Sequence, residues 1–306
     1  MTGTLLKRLA LFLPTTWAVV TAVFFLGRAL PGDPGEILLG EGAAAEARLE
    51  WRRAEGLDRP LVVQYGRFLL GLARLDLGRS LRTGRPVARE LGEAFPETLR
   101  LGTAALAFTV ILAFPLALAA SRSRGGLGAG AAAFSSASLA LPSFLLGPLL
   151  LLALAVEYPL FPVSGSDEPG ALFLPALTLA VPSSAFLSRV LAAALREEAG
   201  RDYLTAARAR GLGAQRAFLR HALPNALPSA VTVLGLQAGA LLTGAIFAEK
   251  IFRWPGLGSL TLSAIAGRDY PVVQGAVILF AVVTLAATLL ADLAAAALDP
   301  RGRGDG

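Results

Sequence analysis

The sequence contains no cysteine and only one histidine, His221. The absence of cysteine excludes disulfide bonds and thiol nucleophiles. Together with the single histidine, it also excludes a zinc site built from these two residue types.

Lysine is almost as scarce, since Lys7 and Lys250 are the only two. A phosphate-binding P-loop needs a lysine in the pattern G-x-x-x-x-G-K-[ST], because that side chain reaches the phosphates. Neither lysine lies in this pattern, so the chain has no P-loop of its own. If ATP drives its function, another subunit must bind the ATP.

Charged residues make up only 16% of the 306 residues, while hydrophobic residues make up 55% and the mean hydropathy is +0.62. Soluble proteins carry roughly 25% charged residues, so this composition indicates a protein surrounded by lipid. In so apolar a chain, the net charge of +6 is typical of basic loops beside a membrane. We therefore expect no nucleic-acid partner.

Six segments are apolar enough to cross a hydrocarbon core about 30 Å thick, which takes about 20 residues per helix. They are residues 9–30, 101–120, 127–156, 171–195, 222–248 and 270–298. The third is long enough to tilt or break at Pro142 and Pro148. The first has a longer apolar region than a signal peptide, which favours an uncleaved anchor. The sequence therefore predicts an all-α integral membrane protein with six transmembrane helices.

The distribution of lysine and arginine predicts the orientation, because cytoplasmic loops carry an excess of both. With the N-terminus inside, the inside segments hold twelve basic residues and the short outside loops hold three. The twelve are Lys7, Arg8, Arg122, Arg124, Arg196, Arg201, Arg208, Arg210, Arg216, Arg220, Arg301 and Arg303, and the three are Lys250, Arg253 and Arg268. Both termini are therefore predicted to be cytoplasmic.

Residues 31–97 are predicted to form a small folded lobe outside. A polar helix is expected at 41–55, ended by Gly56. An apolar stripe follows at helical spacing, formed by Leu61, Tyr65, Phe68, Leu69 and Leu72. We expect this stripe to pack against the spans, the alternative being that it lies on the membrane surface.

The inside segment 196–224 is too long to be a simple helix–helix connection. A helix is predicted from Tyr203 to Arg210, with Gly211 ending it in a left-handed conformation. A second short helix is predicted at 214–220. Pro224 would then lie in the first turn of the fifth span, where proline is tolerated.

The same segment carries the strongest sequence resemblance. Thr205-Ala206-Ala207, then three residues, Gly211, nine residues and His221-Ala222-Leu223-Pro224 resemble the cytoplasmic signature of ABC-importer permeases. That signature reads Glu-Ala-Ala, three residues, Gly, nine residues, Ile, one residue, Leu-Pro. The spacing matches throughout, while Thr205 replaces the glutamate and His221 the isoleucine.

Further segments are similar to the dipeptide/oligopeptide branch of that family, and they run nearly from end to end. They are Leu30-Pro31-Gly32-Asp33-Pro34, Asp76-Leu77-Gly78-Arg79-Ser80-Leu81, Leu141-Pro142-Ser143-Phe144, residues 197–211, Arg220-His221-Ala222-Leu223, Trp254-Pro255-Gly256-Leu257-Gly258, Asp269-Tyr270-Pro271-Val272-Val273-Gln274-Gly275 and Leu298-Asp299-Pro300-Arg301. It is their order and spacing together, rather than any one of them, that make the resemblance specific.

The resemblance implies a type I importer permease bundle and a division of labour among subunits. A substrate-binding protein delivers dipeptides or oligopeptides outside, two homologous permease chains form the pathway, and two ATPase subunits bind ATP and magnesium inside. This chain would hold no cofactor and catalyse no reaction. Relatives sharing these motifs also carry nickel chelates and oligosaccharides, so the same machinery with such a cargo is the alternative.

In this scheme, segment 196–224 is the loop that couples the permease to the ATPase. Small residues let a short helix lie close in a partner's groove, and closure of the ATPase would rock the bundle between outward and inward access. The predicted coupling residues are Tyr203, Thr205, Ala206, Ala207, Gly211, Leu223 and Pro224. The loss of the glutamate at Thr205 predicts an altered contact with the ATPase.

The outside segment 249–271 is hydrophobic but broken by proline and glycine. It would dip back between spans or stand against the binding protein, and Trp254 could equally anchor at lipid headgroups. The candidate contacts for the binding protein are Trp254, Pro255, Gly256, Gly258, Asp269 and Tyr270.

Two other functions fit the residues less well. An intramembrane protease would need a nucleophile and a base within the spans, but the sequence has no G-x-S-x-G and only Asp292 is an acid near membrane depth. A stand-alone channel or secondary transporter would not require the spacing of the 205–224 signature. Binding of an ATPase subunit separates the importer from both.

Overall fold

The computed structural model describes residues 2–29, 35, 39–40, 42, 44–54, 56–122 and 125–298. These residues are almost entirely helical, and a single bridge between Arg79 and Pro86 is the only β pairing among them. The all-α prediction is therefore confirmed. The motif segments at 30–34 and 299–301 lie outside the described residues.

We number the helices in chain order. They are α1 (Thr2–Ala29), α2 (Ala45–Ala54), α3 (Leu61–Ala73), α4 (Val87–Arg122), α5 (Gly126–Ala140), α6 (Ser143–Leu151), α7 (Phe173–Ala199), α8 (Asp202–Ala209), α9 (Ala214–Ala217), α10 (Leu223–Ile251), α11 (Leu257–Ala266) and α12 (Tyr270–Leu298). Two π-helical segments join them, Leu152–Glu157 after α6 and Phe218–Ala222 between α9 and α10.

Four helices among the described residues are long and apolar enough to span a membrane, and a fifth span results if a bent pair is counted as one. The four are Val87–Ser121, Phe173–Ala199, Ala214–Ile251 and Tyr270–Ala291. In α1, the described apolar stretch is Phe12–Phe25, which is shorter than a full span. The predicted count of six spans is therefore not confirmed.

The bent pair is the predicted third span. Residues 126–140 and 143–157 meet at an angle of 104°. Pro142 restricts the preceding residue to extended backbone, and Leu141 is extended there (φ −87°, ψ 120°), so α5 ends. Pro148 lies inside α6 and does not break it. Of the two prolines expected to break this span, Pro142 does so.

The predicted lobe at 31–97 ends inside a helix, because α4 begins at Val87 and continues unbroken into the second span. One face of this helix is buried from its first turn, at Val87, Leu91, Ala94 and Thr98. These residues recur at helical spacing, while the charged residues between them face outward. The composition of this stretch does not reveal the apolar face, because many charged residues lie between the buried ones in the sequence.

The chain divides into two compact units. The described residues of the first belong to Met1–Arg8, Leu99–Trp254 and Thr284–Gly306, and those of the second to Leu9–Thr98 and Pro255–Val283. A core of the first unit joins Leu187, Leu191 and Leu195 of α7 to Leu204 of α8 and Phe218. A second core of the same unit contains Leu101, Leu179, Leu241 and Trp254.

The second unit contains the predicted stripe of α3. Phe68, Leu69 and Leu72 pack with a core of α1 and α12 residues, namely Val20, Val23 and Ile278. The Tyr65 ring lies 5.1 Å from that of Phe24, measured between centroids, and its hydroxyl is 2.6 Å from the Thr21 hydroxyl. The stripe therefore packs inside the unit as expected. Leu61 differs, because 51% of its surface is exposed.

Candidate functional site

The predicted coupling helix is α8, which runs from Asp202 to Ala209. Asp202 lies in its first turn and Arg208 in its last, which complements the partial charges at the two helix ends. Gly211 follows at φ +87°. Its N–H donates to Arg208 O at 2.9 Å, and the Leu212 N–H donates to Ala207 O at 3.2 Å. This pair of bonds is the Schellman ending that a glycine in the left-handed region permits, as predicted for Gly211.

One face of α8 is anchored in the protein and the other is open. Leu204 is 1% exposed and belongs to the core that joins α7 to residues 217–230, and Ala207 and Leu212 pack against the same core. Thr205, Ala206, Arg208 and Ala209 are exposed. The open face thus presents two alanines and a threonine at its centre, beside an arginine.

Tyr203 connects α8 to both neighbouring long helices. Its hydroxyl donates to Glu198 Oε2 at 2.6 Å, near the end of α7, and accepts from Asn225 Nδ2 at 3.3 Å, in the first turn of α10. Glu198 is buried. Burial, and then the hydrogen bond to Glu198, raise the pKa of Tyr203 above its usual value. The hydroxyl therefore keeps its proton and remains a donor to the carboxylate at neutral pH.

The predicted separate helix at 214–220 does not exist as such, because α9, the π segment and α10 form one continuous helix, Ala214–Ile251. Leu223 donates its N–H to Phe218 O, five residues back, and Pro224 follows at the start of α10. Pro224 has no N–H and its ring crowds the preceding turn. A wider π turn accommodates such an interruption without ending the helix.

The two remaining predicted positions of this loop lie beside that turn. Leu223 is partly buried and packs against the α7–α8 core, and Pro224 is exposed. The carbonyl of His221 accepts a second bond of Asn225 Nδ2 at 2.9 Å. Asn225 therefore links the Tyr203 hydroxyl to the backbone of the π turn. The structure brings Tyr203, Leu223 and Pro224 to one region and leaves Thr205 and Ala206 on the open face.

Trp254 does not lie where a surface contact would need it. The indole is fully buried, in the core with Leu101, Leu179 and Leu241. The Arg100 guanidinium lies 5.4 Å from the ring centroid, within cation–π range. Neither headgroup anchoring nor direct contact with a binding protein is available to this side chain in this structure, because its own fold covers it.

The other candidates of the outside segment are in the second unit. Gly256 and Gly258 are buried at the start of α11, where the Leu257 N–H donates to Thr98 Oγ1 at 2.7 Å. Asp269 is 3% exposed. Pro255 is exposed and Tyr270 is partly exposed. Of these five, only Pro255 is exposed.

Asp269 binds a turn that is distant in the sequence and begins within the family-like segment Asp76–Leu81. Its carboxylate accepts from Ser80 Oγ at 2.5 Å, from the Leu81 N–H at 3.1 Å and from the Arg82 N–H at 3.3 Å. Ser80 Oγ in turn accepts from the Thr83 N–H at 3.0 Å. Asp269 therefore acts as an internal clamp on the 80–83 turn.

An open groove of about 510 Å³ lies in the first unit, among α4, α10 and α12. It is lined by apolar side chains and one glycine, namely Leu106, Ala107, Val110, Val231, Leu234, Gly235, Ala238, Ala287, Leu290 and Ala291. None of these residues carries a charge or a polar side chain that could orient a ligand.

Residues 110–304 match the family described as "Binding-protein-dependent transport system inner membrane component". This chain belongs to that family. It is therefore the permease component of a binding-protein-dependent ABC importer, and the helical bundle that contains α8 is the family's membrane domain.

Two bacterial permeases are similar to this one along nearly their whole length. The glutathione transport system permease protein GsiC of Pectobacterium atrosepticum is 36% identical over 296 residues, which cover 96% of this permease and 97% of that chain. The dipeptide transport system permease protein DppB of Escherichia coli (strain K12) is 34% identical over 332 aligned positions, covering 98% of each chain.

Solved structures show the same fold at lower identity. The MetNI methionine ABC transporter, in an inward-facing conformation, matches with a TM-score of 0.59 at 19% identity over 68% of this permease and 95% of that chain. An amino acid ABC transporter crystallised with histidines gives a TM-score of 0.52 at 18% identity, over 70% of this permease and 94% of that chain. At this identity the likeness concerns the fold alone, and it supports the type I importer architecture.

No sequence pattern marks Glu198 and Asn225 as the residues that bind the Tyr203 hydroxyl. Asn225 is 22 residues from Tyr203 in the chain. No spacing rule connects residues at such a separation, and neither side chain belongs to the signature. Their role becomes visible only once α7, α8 and α10 are packed together.

Proposed function

We propose that this permease takes up dipeptides or other short peptides, glutathione among them, by an ATP-driven mechanism in which α8 docks on a separate ATPase subunit. Two permease chains would form the pathway, and a binding protein outside would deliver the cargo. The ATP and its magnesium ion would be bound by two ATPase subunits inside. Both termini of this chain would then be cytoplasmic.

The observation that carries the proposal is the two-sided build of α8. Leu204 anchors one face in a core shared with α7. On the other face, Thr205, Ala206 and Ala209 are exposed and have short side chains. Small side chains allow another protein's groove to approach the helix backbone closely, and a rigidly anchored helix transmits the movement of whatever binds it. A loop that only touched lipid headgroups would not need a buried anchor.

The support for a peptide cargo comes from the relatives. Two permeases that match from end to end, at 36% and 34% identity, are named for glutathione and for dipeptides. Glutathione is itself a short peptide, so the two names agree on the class of cargo.

The charge of the open face suggests the chemistry of its partner. Arg208 and Arg210 are exposed, and Thr205 stands where the signature of related permeases has a glutamate. A groove that receives this surface should therefore carry acidic residues at its rim. Such exposed pairs are screened by salt, so ATPase binding should weaken as the ionic strength rises.

The test is reconstitution with and without the partner ATPase subunits. The purified permease alone should hydrolyse no ATP, and hydrolysis should begin when the ATPase subunits are added. Ala206→Trp should prevent their binding, because an indole would occupy the open face of α8. The matched control is Ala54→Trp, at an exposed alanine of α2. Hydrolysis by the permease alone, or unchanged ATPase binding by Ala206→Trp, would contradict the proposal.

A further inference from the structure

A push on α8 can move the membrane helices only if α8 is fixed to them, and the polar contacts of Tyr203 are placed to do this. Glu198 belongs to α7, Tyr203 to α8 and Asn225 to α10. One hydroxyl thus joins three helices, through a 2.6 Å bond to a carboxylate and a 3.3 Å bond from an amide.

The position of Asn225 determines which part of the long helix the Tyr203 contact reaches. Between α9 and α10 lies the π turn, where i→i+5 bonding replaces the regular ladder and Pro224 removes a donor. Such turns are weak points at which a helix can bend or shift register. Asn225 follows the turn on the side of the long span and also binds the His221 carbonyl within it. The Tyr203 contact therefore bypasses the turn and reaches the span directly.

The apolar anchor joins the same helices but does not fix their orientation. Leu204 packs in one core with residues of α7 and with Ala226 and Ala230 of α10 beyond the π turn, but apolar packing has no fixed direction. A hydrogen bond to a carboxylate is directional, and it is stronger than one between neutral groups. The two contacts together hold α8 in position and in orientation.

We propose that the Tyr203 hydroxyl, held between Glu198 and Asn225, is the positioning contact that makes α7, α8 and α10 move as one body when the ATPase acts on α8. This rests on the proposed docking of α8. It assigns to Tyr203 the transmission of the movement and not the binding of the ATPase.

The experiment uses the assembled importer, and the absence of cysteine from the chain allows labels at chosen sites. Spin labels are attached through Asp202→Cys in the first turn of α8 and Ser229→Cys on α10, which are both exposed. Their distance distribution is measured without nucleotide and with ATP trapped by vanadate. With Tyr203 intact, the distribution should stay the same in the two states. With Tyr203→Phe, which keeps the ring and removes the hydroxyl, it should broaden and shift.

A second readout separates transmission from docking. Tyr203→Phe should bind the ATPase subunits as tightly as the wild type does. The number of ATP molecules hydrolysed for each tritiated dipeptide or glutathione molecule imported should nevertheless rise about five-fold or more. Coupling between two sites typically has an effect of this size.

Variants of the carboxylate give the control and the rescue. Glu197→Gln removes the neighbouring carboxylate, which pairs with Arg201 at 2.6 Å on the exposed side, and should change nothing. Glu198→Gln keeps a carbonyl that can accept from Tyr203 and should retain most of the coupling, whereas Glu198→Leu should behave like Tyr203→Phe.

The outcomes distinguish the two proposals. If the wild-type permease binds no ATPase subunit, the docking of α8 is wrong and the role of Tyr203 falls with it. If the wild type docks and couples, and Tyr203→Phe gives the same distances and the same ATP use per import, the positioning role is overturned while the proposed function stands.

Discussion

Ser80 and Asp269, 189 residues apart in the chain, are joined by a 2.5 Å hydrogen bond from the serine hydroxyl to the aspartate carboxylate. Both belong to segments that resemble the dipeptide/oligopeptide permeases. Asp269 was a candidate contact for the binding protein, yet its carboxylate is buried and occupied by the 80–82 turn. The Asp269 carboxylate therefore stabilises the 80–83 turn within the second unit.

Asp269→Asn should loosen the 80–83 turn. The amide keeps one acceptor but loses the negative charge that three donors now share, which should cost about 1–3 kcal/mol locally. Arg82 is exposed in this turn and Arg79 is exposed just before it, so trypsin should cleave there faster in the variant. The matched control is Asp167→Asn, at an exposed aspartate. Equal cleavage rates in Asp269→Asn and the wild type would argue against the clamp.

Gly211→Val should weaken ATPase binding without disturbing membrane insertion. Nothing lies within 4 Å of a Cβ at this position, so the variant acts through the backbone alone, where φ is +87°. A β-branched residue is strained in this region, by about 1–3 kcal/mol. The strain should displace the end of α8. Affinity for the ATPase subunits, measured on reconstituted permease, should fall several-fold.

Gly213 provides the control for this substitution. It lies two residues further along, also has nothing within 4 Å of a Cβ, and has φ −58°. Gly213→Val should therefore leave ATPase binding near the wild-type value. If both variants behave alike, the left-handed conformation of Gly211 is not what positions α8.

Gly235→Val should impair folding of the permease. A Cβ at Gly235 would lie 1.7 Å from the Cβ of Ala291, and a Cβ at Gly239 would lie 2.7 Å from a methyl of Thr284. Helices α10 and α12 thus cross with no room for a side chain, and overpacking destabilises by about 1–3 kcal/mol or more. The yield of monodisperse protein in detergent, and its thermal unfolding midpoint, should both fall.

The matched substitution is Gly130→Val in α5, since nothing lies within 4 Å of a Cβ there. It should leave the yield and the unfolding midpoint near the wild-type values, apart from the small effect of helix propensity. A comparable loss in both variants would mean that the α10–α12 crossing is looser than the structure has it.

Ser164 and Thr205 should lie on opposite sides of the membrane. Ser164 is exposed between α6 and α7, and Thr205 is exposed on α8, with the 27-residue helix α7 between them. In right-side-out vesicles, a membrane-impermeant maleimide should label Ser164→Cys and leave Thr205→Cys unlabelled. The opposite result would reverse the proposed orientation.

Local patterns in the sequence predicted most of the local structure. Gly211 ends α8 in the left-handed region because glycine, which has no Cβ, adopts this conformation without strain. Pro142 breaks the third span because it restricts Leu141. The signature from Thr205 to Pro224 identified the family, since its spacing follows from the lengths of α8 and of the turn after it. These features depend on residues that are close in the chain.

Packing decided the rest. The pairs Gly126–Gly130 and Gly235–Gly239 have the same spacing, yet only the second lies at a close helix crossing. Trp254 could be an anchor, a contact or a core residue, and only the fold around it made it a core residue. Asn225, which binds Tyr203, and Ser80, which binds Asp269, come from other elements that are 22 and 189 residues away. A sequence determines which side chains are able to form such contacts, but the choice among them depends on which surfaces meet when helices far apart in the chain pack to exclude lipid and water and satisfy their buried polar groups.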